Sequence, residues 1–193
     1  MKKAFNAQAG WVSRTLIILA IVILIAIAVV YFGTQLARKP APAPEETAEP
    51  EPVYETKIGD TRILFVTATN MGDTLYASEA NRGYFQDITT TEKFIKVVIA
   101  AQNKGKTAID MFSWGMNSIV DSEGRVYTDS SNKAYGFLPQ PDTCGAALKP
   151  EFAPIACTRM FEVSRASTKL GVQVWATDAS DKKETVILDL LVK

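Results

Sequence analysis

The chain reads as an all-β sandwich domain carried behind one apolar helix. Three observations predict this. From Tyr54 onward the apolar residues alternate with polar ones at period two, the pattern of half-buried strands. Short runs of this kind recur between turn signals, with no amphipathic helix among them. Ahead of them, Leu16 to Phe32 reads LIILAIVILIAIAVVYF, without a charge, an amide or a proline.

The order of segments follows from composition. Residues 1–14 form a short basic head with Lys2, Lys3 and Arg14 and no acid. Residues 15–34 match the roughly 20 helical residues that cross a bilayer core of about 30 Å. In lipid every backbone polar group must be satisfied within the segment, so a helix is predicted despite its many β-branched residues. A secretory signal would be shorter and end in a small-x-small cleavage site. Here the run ends Val30-Tyr31-Phe32-Gly33. The expectation is a retained signal-anchor in the lipid bilayer, with release by cleavage as the competing reading. Three basic residues before the helix face Arg38 and Lys39 after it, a narrow margin for a cytoplasmic N-terminus. Residues 35–53 are rich in proline and glutamate, a composition that favours an extended tether.

Residues 54–193 carry the strands. Arg62 to Thr69 is entered through the turn Gly59-Asp60, and Phe94 to Gln102 stops at Asn103-Lys104-Gly105. Trp114 to Val120 turns at Asp121-Ser122-Glu123-Gly124 and returns through Arg125-Val126-Tyr127, with glycine where a hairpin needs positive φ. Ile155 to Val163, Leu170 to Ala176 and Val186 to Val192 complete about seven strands. The predicted architecture is an immunoglobulin-like antiparallel β-sandwich, with Lys96 and Lys182 as charges guarding edge strands. Tyr76 to Glu92 and Thr128 to Cys144 break the rhythm as long polar loops, which in compact domains are often functional. Their aromatics Tyr84, Phe85, Tyr135 and Phe137 are candidates for a partner-binding surface, or else fold back to cap the core.

Cys144 and Cys157 are the only cysteines, thirteen positions apart. In an oxidising compartment they suit a disulfide worth about 3 kcal/mol by loop closure. Two free buried thiols are the other reading. A disulfide agrees with an extracytoplasmic domain.

Several stretches resemble one family. Ile58-Gly59-Asp60-Thr61-Arg62-Ile63 is similar to its opening strand, and Lys93 to Ile99 running into Asn103-Lys104-Gly105 to its central strand and turn. Val120 to Tyr127 resembles its hairpin, and Leu148-Lys149-Pro150 with Met160-Phe161-Glu162-Val163 the strand after its long loop. The family is the telokin-like domain of unknown function numbered 4352, matched over roughly residues 53–193. The resemblance implies an immunoglobulin-like sandwich displayed by membrane-anchored or secreted prokaryotic proteins, and it carries no catalytic residues. The cysteine pair and the enlarged loop before it depart from the pattern.

The chemistry of the side chains narrows the function classes. There is no histidine, which removes Ser-His-Asp and Cys-His catalysis and the commonest metal ligand. Two cysteines without histidine cannot complete a zinc site in one chain. Ala100 to Thr107 imitates a phosphate loop but is followed by Ala108-Ile109-Asp110 in a strand-like run, not by a helix. Ser130-Ser131-Asn132-Lys133 matches Ser-x-x-Lys without the companion motifs. Asp121, Glu123 and Asp129 lack calcium-loop spacing and read as turn residues. From Tyr54 onward sixteen basic residues face seventeen acidic ones, so no footprint for nucleic acid is expected. The expectation is a non-enzymatic module at the cell envelope, without cofactor or metal, that binds a protein or a glycan. A pilin-like subunit is the alternative class; Thr15 stands where a bacterial pilin would carry glutamate, and the proline linker interrupts the helix.

Overall fold

The structure is a computed structural model that describes residues 17–29, 31, 51–79, 83–178 and 180–193. The chain divides into two compact units, Met1–Glu49 and Pro50–Lys193. In the first, residues 17–29 and Tyr31 are helical and exposed. No helix among the described residues is long and apolar enough to cross a membrane. The head, most of the linker, and positions 15, 16, 30 and 32–34 of the expected span lie outside the described residues.

The second unit is an antiparallel β-sandwich, with eight strands among the described residues in two sheets of four. They are β1 (Glu55–Ile58), β2 (Thr61–Leu75), β3 (Ile88–Asn103), β4 (Trp114–Val120), β5 (Val126–Thr128), β6 (Ile155–Val163), β7 (Gly171–Thr177) and β8 (Lys183–Asp189). One sheet has the order β1-β2-β3-β6 and the other β5-β4-β7-β8. The strand beyond the expected seven is β1, four residues that turn at Gly59-Asp60 and pair Ile58 with Thr61.

Alternation places Ile95, Val97, Ile99 and Ala101 of β3 inward, where they meet Trp114, Ile119, Val172, Val174 and Leu188 of the other sheet. All of these are buried. The inter-sheet core forms because each sheet carries one apolar face that only the other can cover. The β4–β5 hairpin turns at Gly124, whose φ of 78° is the left-handed conformation that glycine adopts without steric cost.

β2 and β3 are longer than the alternation predicts, and they stay paired past three register shifts between Phe65 and Thr74. Bulges of this kind disturb period two, which hides the strand ends in the sequence. β3 therefore starts at Ile88, and the first loop is shorter than Tyr76 to Glu92. β8 is also displaced: it begins at Lys183, and the final residues leave it to bridge Val192 in parallel with Ala68 of β2. One expectation is corrected. Lys96 guards no edge, because β3 is flanked there by both neighbours, Lys96 standing between Thr69 of β2 and Met160 of β6. Lys182 does precede an edge strand, β8.

Candidate functional site

A second apolar cluster lies on the outer face of the β1-β2-β3-β6 sheet. Phe94 of β3 and Met160 of β6 are fully buried there, together with Leu75 and Ala134. Ile88, Phe137 and Leu138 pack against them. Sheet residues thus meet Ala134, Phe137 and Leu138 of the second long loop, and the first loop joins this third layer where Phe85 lies over Gly136.

The first loop, residues 76–87, is closed by the Ala77 N–H donating to the Asp87 carboxylate at 2.8 Å. The second runs from Asp129 to Pro154 and follows the free edge of β6. Asp129 bridges to Phe161, the Ser130 N–H donates to the Met160 carbonyl, and the Met160 N–H donates to Ser131 Oγ at 3.0 Å. The sheet edge that would otherwise invite strand addition is closed by the chain itself.

Further along, a disulfide joins Cys144 to Cys157, fastening the loop to β6. Trp114 Nε1–H donates to the Ala146 carbonyl at 2.7 Å, and Ile109 and Leu148 exchange two backbone hydrogen bonds. A loop with this many anchors is held in one shape.

The predicted aromatics divide into two kinds. Phe137 joins the outer cluster, and Phe85 is half-buried, lying over Gly136. A Cβ at Gly136 would stand 2.5 Å from the Phe85 ring, so glycine is what lets the two loops meet. Tyr84 and Tyr135, their sequence neighbours, point to solvent at 86% and 55% exposure, and Tyr76 joins them at 73%. The aromatics thus split between folding back and exposure: Phe137 packs on the sheet and Phe85 on the second loop, while the tyrosines present their rings to solvent.

Beside Tyr135 is a cleft of about 100 Å³, lined chiefly by polar side chains. Arg159 crosses it, held at 2.9 Å by Asp142 and at 3.3 Å by Asp129. Asn132 and Gln140 stand on its rim. Arg159, Asp142 and Asn132 were not singled out from the sequence. The available signal was Arg159 itself, which sits between Cys157 and Phe161 in the inward row of β6, where an apolar residue belongs. Nearby, Glu162 accepts a hydrogen bond from Thr90 and pairs with Lys133 at 3.2 Å. The Thr90 bond, followed by the Lys133 charge, outweighs burial and holds the Glu162 carboxyl below its ordinary value.

The acidic turn residues do not gather. The side chain of Asp121 is buried and binds Arg125 Nε at 2.7 Å and Ser167 Oγ at 2.6 Å. Burial alone would raise its pKa. Hydrogen bonds from Ser167, from the Arg125 side chain and from two backbone N–H groups overcome that and set it well below the carboxylate range. Glu123 pairs with Arg125, and Asp129 with Arg159. Among the described residues no group of three potential ligands could hold a metal. The stretch resembling a phosphate loop is the end of β3 and a turn, in which the Gly105 N–H donates to Asn103 Oδ1. In the Ser-x-x-Lys stretch, Lys133 pairs with Glu162.

No family model matches the chain, and no curated protein sequence does. Among solved structures it is similar to a functionally unknown protein from Listeria monocytogenes EGD-e, at 9% identity and a TM-score of 0.42, over 72% of this chain and 82% of that one. It is also similar to a conserved hypothetical protein from Bacillus anthracis, at 14% identity and a TM-score of 0.40, over 70% of this chain and 94% of that one.

Proposed function

We propose that this is a membrane-tethered, non-enzymatic binding module whose sandwich stands outside the cytoplasm and meets a partner through its loop layer. The observation that carries the reading is the loop layer itself. The second loop is fixed by Phe137, a disulfide and backbone hydrogen bonds, the half-buried Phe85 of the first lies against it at Gly136, and the two hold Tyr135 and Tyr84 toward solvent. Exposed tyrosines on a rigid base supply contact area at low entropic cost, which is how binding surfaces are commonly built.

The sandwich is of the immunoglobulin type on this reading. Support comes from the strand order, with β3 pairing β6 in one sheet and β4 pairing β7 in the other, and from the parallel bridge of the C-terminal residues to β2. The telokin-like resemblance points the same way. The apolar run over residues 15–34 supplies the anchor, and a disulfide is stable where the compartment is oxidising.

Intact-cell protease digestion with an alkaline wash tests the placement. The chain should stay with the membrane after the wash, and the sandwich should be cut only from outside. Recovery of the whole chain in the soluble fraction would contradict it. Chemical crosslinking in the same cells tests the surface, because adducts should be lost from a Tyr84→Ala/Tyr135→Ala variant. Unchanged adducts would place the contact elsewhere.

A further inference from the structure

We propose that the cleft beside Tyr135 is a carbohydrate subsite for neutral sugars. The inference rests on the reading above and deepens it by giving the partner a chemical class.

The cleft combines an exposed aromatic ring with planar polar groups. Tyr135 forms one wall, and the amides of Asn132 and Gln140 stand at the rim with no hydrogen bond to the other described residues. Each amide offers a donor and an acceptor in one plane, which matches two neighbouring hydroxyls. The floor is already ordered. Arg159 is locked between Asp129 and Asp142, while Asp129 also accepts from the Ser131 N–H at 2.8 Å and Asp142 from the Cys144 N–H at 3.0 Å. The floor therefore needs no rearrangement, and its carboxylates keep acceptor capacity for hydroxyl groups.

A pyranose ring fits these groups because it has an apolar C–H face for the tyrosine and a rim of hydroxyls for the amides and carboxylates. A peptide fits them poorly. Strand addition is closed, since residues 129–131 already occupy the edge of β6. An apolar anchor would find few apolar walls in a cleft of this lining. Two carboxylates against one guanidinium leave excess negative charge, which disfavours uronates and phosphorylated sugars. At about 100 Å³ the cleft admits the edge of one ring, so binding is weak per site and depends on stacking.

The test is calorimetric titration of the full chain in detergent micelles with cellohexaose, chitohexaose, maltohexaose and trigalacturonate. At least one neutral hexaose should bind, and trigalacturonate should bind at least tenfold more weakly. Tyr135→Ala should weaken binding tenfold or more, Tyr135→Phe by less than threefold, and Asn132→Ala with Gln140→Ala by threefold to tenfold. Tyr135 is largely exposed, so these variants leave the fold intact, and circular dichroism checks that. No heat with any neutral hexaose, or equal binding by Tyr135→Ala, overturns the proposal. If the sugars fail while the Tyr84 and Tyr135 surface still crosslinks a protein in cells, the subsite falls and the binding-module reading stands.

Discussion

On the outer face of the β1-β2-β3-β6 sheet, Phe94 and Met160 are fully buried beneath Ala134, Phe137 and Leu138 of the second long loop, whereas on the other sheet Ile187 of β8 is 48% exposed. On the second face its own side chains lie over the sheet: the Trp175 ring over Gly115 and Ile187 over Gly171, with Lys183 Nζ 3.9 Å from the Trp175 ring. One face has been turned into a small second core, and the other has been smoothed. The contrast teaches that the loops are not slack connections between strands. They are a layer with its own apolar base, and what they present to solvent is held in place by what they bury.

If the sandwich stands on its own and the layer is added to it, damage to each should read differently. The largest effect belongs to the inter-sheet core. Phe161→Ala should cost about 3–5 kcal/mol in urea unfolding and lower every probe of the fold together. Next comes the disulfide, whose replacement by two serines should cost about 3 kcal/mol. Hydrogen exchange should then rise in residues 129–150 and stay slow in β3 and β7. Equal acceleration in all three regions would show that layer and sandwich are one cooperative unit.

Smaller still is Gly136→Ala, which forces Phe85 aside for about 1–2 kcal/mol. Its signature is local, since nuclear magnetic resonance shifts should be confined to the two loops and the outer face of β3. The smallest effect at neutral pH is read as a slope. Asp121 has a depressed carboxyl pKa in the folded chain, so its contribution is present above about pH 4 and is lost as the pH falls through the lower folded value. Asp121→Asn should flatten the acid limb of the stability profile. Glu162→Gln, on β6 where it pairs with Lys133 of the loop layer, should flatten it less, because its folded value is depressed to a smaller extent.

The sandwich was legible because its core strands keep strict alternation. Ile95, Val97, Ile99 and Ala101 face inward in the register their spacing predicts, and Asp121 to Gly124 makes the hairpin that its composition calls for. What escaped was wherever register slipped. The bulges in β2 and β3 move later residues off period two, so both strands outran their predicted ends. Lys96 looked like an edge residue because one charge in a strand does not tell which neighbours flank it. The site was half legible. Loop length and aromatics pointed to Tyr84 and Tyr135, but the division of labour between tyrosines and phenylalanines depends on Gly136 meeting Phe85 across 51 positions. The cleft escaped for the same reason, since Arg159, Asp129 and Asp142 converge only after the loop has folded along β6.

The central claim is that the loop layer, not the bare sheet face, is where this protein meets its partner. Site-specific photo-crosslinking in intact cells tests it directly, with the photoreactive residue at position 135 in one strain and at position 187 in the other. The account predicts a discrete adduct from position 135 and none from position 187. An adduct from position 187 with none from position 135 would contradict it.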